Sequence, residues 1–324
     1  MNSSFIIDAH LDLAMNAIEW NRDLTRPLEE IRLREMHMKD KADRGKGTVC
    51  LPELREGRVG LVVATQLSRC TSFGASLPGW NSPQQAWAIT QAQLSWYREM
   101  EASDEMIQIT NLTELDTHVT LWQNQESPDD NKPVGYILSL EGADSLVNIS
   151  YLHKAYEYGL RAIGISHFGP GRYAPGTKME GPILPAGLEL LKEISNLNLI
   201  LDVTHLTDEG FDQAMDVHKG PVWASHYNVR KIAGTQRQLP DEQIKRLIER
   251  EAVIGGMLDC WALDIRFIDT VSDPWKLNIR LENLVDHWDH ICQLAGNCLY
   301  IAIGSDLDGN FGTELITVGF KFNC

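Results

Sequence analysis

FIIDAHLD, residues 5–12, is a short apolar run that carries three polar side chains, those of Asp8, His10 and Asp12. Its length and its paired isoleucines predict a buried β-strand. Successive side chains of a strand point to opposite faces, so the three polar groups share one face. Such a strand needs a reason to place chargeable groups on one buried side, because burying them unpaired is costly.

Seven further apolar runs follow, rich in Val, Ile and Leu and without strict polar alternation, which is typical of parallel strands buried on both faces. They are VGLVVATQL, VGYILSLEG, LRAIGISH, LILDVTHL, VWASHYN, AVIGGMLDCWAL and LYIAIGSDLDG. Segments with helical spacing lie between them, as in SPQQAWAITQAQLSWYREM and LENLVDHWDHICQLAG. Alternation of this kind predicts an α/β fold with right-handed crossovers. Eight strands predict a closed (β/α)8, TIM-like barrel, and an open doubly wound sheet is the alternative.

The length of 324 residues suits one such barrel, so we predict a single domain over residues 1–324. The charged excursion at residues 20–57 predicts a loop with one helix over the barrel mouth. Because Asp and Glu number 45 against 29 Lys and Arg, the net charge of −16 argues against nucleic acid or an anionic membrane as a partner.

The six cysteines form no CxxC pair, which favours reduced thiols. No apolar leader precedes Phe5, and no apolar run reaches membrane-spanning length. We therefore expect a cytoplasmic protein without a membrane anchor. We leave open whether it forms a homodimer.

Titratable side chains collect where the predicted strands end. In such barrels the functional site lies at the carboxyl ends of the strands. The groups predicted there are His10, Asp12, Glu141, His167, His205, His226 and Asp306. Buried carboxylates and imidazoles cost several kcal/mol each unless they are paired or bind metal, and nearby Arg residues are too few to neutralise them. Imidazoles and carboxylates without thiolates suit zinc, and this set suffices for two ions sharing Glu141 as a bridge.

Two other features are set aside. HWDH places His287 and His290 one helical turn apart, a plausible ligand spacing. That helix belongs to the outer ring of the predicted barrel, so we do not expect these histidines to bind metal. No GxSxG elbow is present, which disfavours a serine hydrolase.

Six motifs together resemble one known family, the membrane (renal) dipeptidases and their bacterial branch. They are DAHLDL, SLEGAD, SHFG, LDVTHLTDEG, ASHYNVR and IGSDLDG, in this order between about residues 5 and 315. The resemblance implies a zinc-dependent (β/α)8 enzyme that hydrolyses dipeptides with a metal-bridging hydroxide. It also implies tolerance of a D-residue at the C-terminal position of the dipeptide.

The resemblance further implies two zinc ions per chain. His10, Asp12 and Glu141 would hold one ion. Glu141, His205 and His226 would hold the other, with Glu141 as the bridge.

Three other residues take substrate-binding and catalytic roles by the same resemblance. His167 would contact the substrate and stabilise the tetrahedral oxyanion. Arg237, in GTQRQLPDEQ, would grip the terminal carboxylate of the dipeptide. Asp306 would carry the proton to the leaving amine, and with His167 and Glu141 it completes the expected catalytic set.

The sequence departs from the family pattern in two places. The seventh predicted strand ends in MLDCWAL, without a tyrosine that contacts substrate in some members, and Trp261 is our candidate replacement. After IGSDLDG the tail NFGTELITVGFKFNC has no helical period, so we expect the eighth helix to be missing and the chain to be truncated relative to the family.

Two alternative functions stay open. One is another amidohydrolase-like barrel enzyme acting on cyclic amides, ureas or phosphoesters. Such enzymes often bridge their metals with a carboxylated lysine at the fourth strand, where this chain has His167, so the sequence favours the dipeptidase. The other is an inactive, truncated relative that serves as a binding protein.

Overall fold

The strands of the structure, a computed structural model, are all parallel in their recorded pairings. The structure describes residues 5–71, 77–124, 126, 128–268 and 271–309. The strands are β1 (Ile6–Leu11), β2 (Val59–Leu67), β3 (Met106–Gln108), β4 (Val134–Glu141), β5 (Ala162–Gly164), β6 (Ile200–Asp202), β7 (Val222–Trp223), β8 (Ile254–Gly256) and β9 (Ile301–Ile303).

Eight of these strands form a ring. Their order is β7-β6-β5-β4-β2-β1-β9-β8, and a bridge between Ala224 and Ile254 joins the β7 segment to β8. The bridge rests on backbone bonds from Ala224 N to Val253 O and from Gly255 N to Ala224 O, at 3.0 and 2.8 Å. The predicted barrel is therefore confirmed, and its eight strands are the eight apolar runs.

Strand β3 lies outside the ring and was not predicted. It pairs with the first residues of β4, Val134 to Tyr136, whereas β5 pairs with Ser139 and Leu140 further along the same edge. Three residues between two helices give no detectable strand period, which explains the miss.

The helices surround this ring. In the described ranges they are α1 (Leu13–Glu19), α2 (Leu28–Glu35), α3 (Leu51–Glu56), α4 (Pro83–Ala102), α5 (Leu112–Gln123), α6 (Ser150–Glu157), α7 (Pro185–Asn196), α8 (Asp208–Val217), α9 (Arg230–Ala233), α10 (Asp241–Glu249), α11 (Cys260–Leu263), α12 (Pro274–Leu277) and α13 (Leu281–Ala295). The excursion at residues 20–57 contains α2 and α3, so the prediction of one helix there was wrong. No helix in these ranges is both long and apolar enough to cross a bilayer.

Helix α4 shows how a helix docks on the ring. Ser82 caps its N-terminus, because the Ser82 hydroxyl accepts from Gln85 N. Pro83 is the first helical residue, where the N–H that proline lacks would have no partner within the helix. Its Tyr97 stacks on Tyr136 of β4 with ring centroids 4.9 Å apart. The Tyr97 hydroxyl donates to Thr65 O of β2 at 2.8 Å, which satisfies a buried polar atom within the core.

Two glycines allow the seam of the ring to pack closely. A Cβ at Gly255 would lie 1.9 Å from Ser225 O, and a Cβ at Gly304 would lie 1.7 Å from the same oxygen. Only a residue without a side chain fits at either position unless the backbone moves. Strands β8 and β9 therefore press directly on the segment that follows β7.

The prediction of a missing eighth helix concerns residues 310–324, which lie outside the described residues. The prediction of one domain over residues 1–324 likewise stays a prediction.

Candidate metal centre

The predicted site residues sit at one edge of the ring. His10 lies in β1, Asp12 directly follows that strand, and Glu141 is the last residue of β4. Each of the others lies three residues beyond the end of its own strand, namely β5, β6, β7 and β9. These residues are His167, His205, His226 and Asp306. Because the strands are parallel, their carboxyl ends lie at the same edge of the ring.

Four imidazoles converge on one carboxylate oxygen. Glu141 Oε1 lies 3.0 Å from His205 Nε2, 3.6 Å from His10 Nε2 and from His226 Nε2, and 3.7 Å from His167 Nε2. His205 Nε2 and His226 Nε2 are themselves only 3.0 Å apart. Glu141 therefore lies at the centre of the cluster.

A carboxylate pair extends the cluster past His10. His10 Nε2 lies 3.9 Å from Asp12 Oδ1 and 3.8 Å from Asp306 Oδ1. Among the residues that the structure describes, three groups have ligand atoms close enough to share an ion: His10 with Glu141 and His226, Glu141 with His167 and His205, and His10 with Asp12 and Asp306.

Glu141 belongs to two of these groups, as a bridge would, but the groups differ from the expected ligand sets. Asp12 is grouped with Asp306, and His205 is grouped with His167. The expected division into two sets therefore stays a prediction.

The neutral state of the buried imidazoles suits a metal. Burial lowers the pKa of His10 to about 3 and lowers the pKa values of His205 and His226 well below the usual range, so their rings are neutral. Burial raises the pKa of Asp12 to about 6, and burial together with the neighbouring carboxylates raises the pKa of Glu141 well above its usual range. Bound cations would reverse the carboxylate shifts.

Two atoms at the centre are orphaned. His10 Nε2 and Glu141 Oε2 are buried and have no hydrogen-bond partner among the residues that the structure describes. Buried polar atoms are almost always paired in folded proteins. Imidazole nitrogens and carboxylate oxygens of this kind fit zinc or a similar divalent ion.

Hydroxyl groups orient the ligands from behind. Thr177 Oγ1 lies 2.8 Å from His205 Nδ1, and Ser225 Oγ lies 2.8 Å from His226 Nδ1. The Thr65 hydroxyl donates to Asp12 Oδ1. Outer partners of this kind set the ring orientation of metal ligands. These hydroxyl groups were not predicted, because single Ser and Thr residues near strand ends are common in any sequence.

Asp308 also supports the site rather than entering it. Its Oδ1 accepts from Asp12 N at 2.8 Å, and its backbone oxygen accepts from the Asn16 side chain at 2.7 Å. Asp8 has a similar role, because it accepts from Ser305 N at 2.8 Å and so joins β1 to the end of β9. Asp8 therefore bonds to the segment after β9 and is absent from the three ligand groups found among the described residues.

Two of the site residues adopt a left-handed backbone. His205 has a φ of 71° and Asp306 a φ of 55°. Such angles are uncommon outside glycine and cost on the order of 1 kcal/mol or more. The surrounding structure holds both side chains over the cluster despite that cost.

Arg237 brings an incompletely bonded guanidinium to the same place. It is buried, its Nη2 donates to His226 O at 3.0 Å, and it stacks on the Tyr227 ring at 4.6 Å. Its Nε and Nη1 find no acceptor in the part of the chain that is described. With Glu141, His167, Asp306 and others it lines a cavity of about 570 Å3, and Trp261 lines the same cavity.

His287 and His290 lie elsewhere. His287 Nδ1 accepts from Val229 N at 3.0 Å, and its Nε2 lies 3.2 Å from Leu263 O. His290 Nε2 lies 2.8 Å from Asp241 Oδ1 on α10. Both rings are used in packing between helices.

Residues 1–316 match the profile of the membrane dipeptidases, peptidase family M19. The chain belongs to this family. The predicted family is confirmed, and the match covers nearly the whole sequence.

Solved structures of M19 proteins share the fold. The chain aligns with the dipeptidase AC, a metallo peptidase of family M19, with a TM-score of 0.72 at 22% identity over 98% of this chain and 87% of that one. A metallo peptidase from Rhodobacter sphaeroides, liganded with a phosphinate mimic of the dipeptide L-Ala-D-Ala, aligns with a TM-score of 0.73 at 19% identity over 98% and 88%.

Curated relatives match this chain over only part of their own length. Dipeptidase tcpJ of Claviceps purpurea is 28% identical over 183 residues, which are 54% of this chain and 41% of that protein. Across the relatives with the strongest matches, the chain aligns with roughly half of their length.

Proposed function

We propose that this chain is a metallodipeptidase that hydrolyses free dipeptides with two zinc ions. The observation that carries the proposal is the cavity itself, where neutral imidazoles and carboxylates converge on Glu141 beside the guanidinium of Arg237. Family membership supports the same reaction class.

His10, Asp12 and Glu141 would hold one ion, and Glu141, His205 and His226 the other. Once bound, such ions supply positive charge that polarises the scissile carbonyl and lowers the pKa of a water nucleophile. The orphaned atoms of His10 and Glu141 support this assignment.

Arg237 would bind the substrate by its end. Its unpaired Nε and Nη1 offer donors to a carboxylate, and a guanidinium can bind that group through two hydrogen bonds. A cation at a fixed distance from Glu141 would select peptides whose carboxylate lies one residue beyond the scissile bond. This preference would favour free dipeptides over longer peptides.

His167 and Asp306 would serve the reacting atoms. His167 Nε2 faces the cluster, 3.7 Å from Glu141 Oε1, where it can donate to the carbonyl oxygen as charge develops there. Burial and the charges of Asp12 and Asp259 raise the pKa of Asp306 well above its usual range. A carboxyl group of raised pKa suits proton transfer to the leaving amine.

The proposal extends to substrate stereochemistry, location and assembly. The Rhodobacter protein binds a mimic of L-Ala-D-Ala, which supports tolerance of a D-residue at the C-terminal position here. The described cysteines, Cys50, Cys70, Cys260, Cys292 and Cys298, are all free thiols, which supports a cytoplasmic location. A homodimer stays a prediction.

The test uses chelator-treated chain reloaded with zinc and a panel of L-Ala-L-Ala, L-Ala-D-Ala, dipeptide amides, a tetrapeptide and a cyclic amide. We expect hydrolysis of the free dipeptides only. Arg237→Met should lower kcat/KM for them by about 100-fold, the cost of losing charged hydrogen bonds. Arg246→Met, which removes surface ion pairs with Asp212 and Asp216, is the matched control.

Other outcomes would contradict the proposal in different ways. Equal cleavage of the tetrapeptide would remove the role of Arg237, and a metal-free preparation with full activity would remove the zinc ions. Turnover of the cyclic amide alone would indicate another barrel hydrolase. Zinc binding without any turnover would indicate a binding protein.

A further inference from the structure

His167 differs from His205 and His226 in the group that lies behind its ring. Its Nδ1 lies 2.7 Å from Nη2 of Arg69. A guanidinium has five N–H donors and no acceptor, and it stays protonated in proteins. The Nδ1 atom must therefore be the acceptor in this bond. A neutral imidazole whose Nδ1 accepts carries its proton on Nε2.

The rings of His205 and His226 meet hydroxyl groups at the same position, those of Thr177 and Ser225. A hydroxyl oxygen can accept from Nδ1–H, which leaves the lone pair of Nε2 free for a metal. The partner at Nδ1 therefore separates His167 from His205 and His226, although all three direct Nε2 toward Glu141.

We propose that Arg69 is a positioning residue that holds His167 in the Nε2–H tautomer, which keeps His167 from ligating metal and makes it a hydrogen-bond donor to the reacting carbonyl oxygen. The assignment of the tautomer rests on geometry alone. The catalytic consequence rests on the proposed function.

Arg69 is itself held in place. It lies two residues beyond β2, and its Nη1 donates to Pro78 O at 2.9 Å. The base of its loop is closed by backbone bonds from Trp80 N to Arg69 O and from Thr71 N to Trp80 O, at 2.9 and 2.8 Å. Because both the backbone and the Nη1 atom of Arg69 are bonded, the side chain loses little further freedom when its Nη2 bonds to the ring of His167.

The position of Arg69 relative to the cavity fits the same role. Arg69 and His167 both line the large cavity and also a smaller adjoining one, which lies beside Trp20 and Trp80. The pair thus forms part of the wall between the two spaces. The ring of His167 lies between Arg69 on one side and Glu141 on the other.

The first test reads the tautomer directly. The full chain is labelled with 15N-histidine, and two-bond 1H–15N spectra are recorded for chelator-treated and zinc-loaded protein, with His167→Gln to assign the signals. We expect Nε2–H for His167 in both samples. Arg69→Lys should retain that tautomer, because Lys is also a donor. Arg69→Glu should convert it to Nδ1–H, because a carboxylate accepts, and Arg69→Met, which offers neither a donor nor a strong acceptor, should give a mixture.

The second test reads the consequence. With dipeptide as substrate, Arg69→Glu should lower kcat by about 100-fold and change KM by less than about threefold, whereas Arg69→Lys should stay within about tenfold of the parent chain. Arg34→Glu, on an exposed arginine of α2, is the control for charge reversal.

An Nδ1–H tautomer of His167 in the parent chain would overturn the inference. So would unchanged kcat together with a converted tautomer in Arg69→Glu. If the parent chain cleaves no dipeptide, the proposed function fails, and the tautomer spectra of the parent, Arg69→Lys and Arg69→Met chains still decide whether Arg69 sets the proton on His167.

Discussion

Two sets of buried histidines can be compared in this molecule. One set lies at the carboxyl edge of the ring and the other among the outer helices. The first contains His10, His205 and His226, and the second contains His118, His218 and His287. Burial lowers the pKa in both sets, so neither burial nor charge distinguishes them.

The difference lies in what the ring nitrogens meet. In the outer set each Nε2 lies near a backbone oxygen, at 2.7 Å for Gly60, 3.0 Å for Pro221 and 3.2 Å for Leu263. In the site set, two Nε2 atoms lie 3.0 Å from each other and a third has no partner in the described chain. A buried histidine is thus a ligand candidate when its Nε2 has no partner or faces another Nε2. It is a structural residue when its Nε2 bonds to a backbone oxygen.

The largest expected effect comes from the centre of the site set. Glu141→Gln keeps the shape of the side chain and removes its charge. We expect the zinc content per chain to fall. We also expect kcat on a dipeptide to drop by more than roughly 100-fold, which is the loss typical when a hydrogen-bond partner of a metal ligand is removed. Metal analysis and steady-state kinetics on the same preparation check this.

Glu193→Gln is the matched control, since Glu193 lies far from the cluster on α7, where it pairs with His153 at 3.0 Å and accepts from the Asn196 side chain at 3.1 Å. Full zinc content in Glu141→Gln would show that Glu141 is not a shared ligand, and the contrast between the two histidine sets would then need another explanation.

A pair of truncations should separate the sets in opposite directions. His226→Ala should lower zinc affinity and leave the free energy of unfolding of the metal-free chain nearly unchanged. His287→Ala should leave zinc content unchanged and lower that free energy by about 1–3 kcal/mol, because Val229 N would stay buried without its acceptor. Chemical denaturation with and without chelator measures both quantities.

Loss of stability in His226→Ala with loss of zinc in His287→Ala would contradict the distinction between the two histidine sets. Loss of zinc in His287→Ala would mean that a histidine bonded to the backbone can still serve the metal site.

The smallest expected effect is a pH dependence in the outer set. Burial lowers the pKa of His118 below its usual 6.5, so the unfolded chain binds more protons than the folded chain below that pH. This residue therefore makes the protein less stable as the pH falls below about 6.5. His118→Gln can still donate to Gly60 O but takes up no proton. Its free energy of unfolding should fall less steeply between pH 7 and 5, by at most about 1.4 kcal/mol per pH unit.

Denaturant titrations across that pH range give the slope, with His153→Gln on an exposed histidine as the control. Identical slopes for the parent chain and His118→Gln would show that the ring of His118 is accessible to protons in the folded state.

The sequence predicted the ring and the cluster because both depend on local patterns. Apolar runs such as VGYILSLEG predict strands, and the parallel arrangement brings their ends together, so Glu141 and His205 could be placed at one edge from the sequence. Strand β3 was missed because three residues show no period.

The finer features of the site depend on contacts that no local pattern contains. Arg69 reaches His167 across 98 positions in the chain. The left-handed backbone at His205 and Asp306 is uncommon for any residue other than glycine, and no local pattern in the motifs predicts it. Tertiary packing decides such features, and they were found only in the structure.

The two glycines against Ser225 O bear on how a complete substitution map of this protein would read. Neither Gly255 nor Gly304 is a ligand or a substrate contact in the proposed site, yet any side chain there meets the carbonyl of the residue before His226. A survey of every single substitution would therefore mark both positions as intolerant, alongside the ligands themselves. The intolerant region on such a map would be larger than the chemical site, and its extra members would be recognisable as glycines, which have no side chain that could bind metal or substrate.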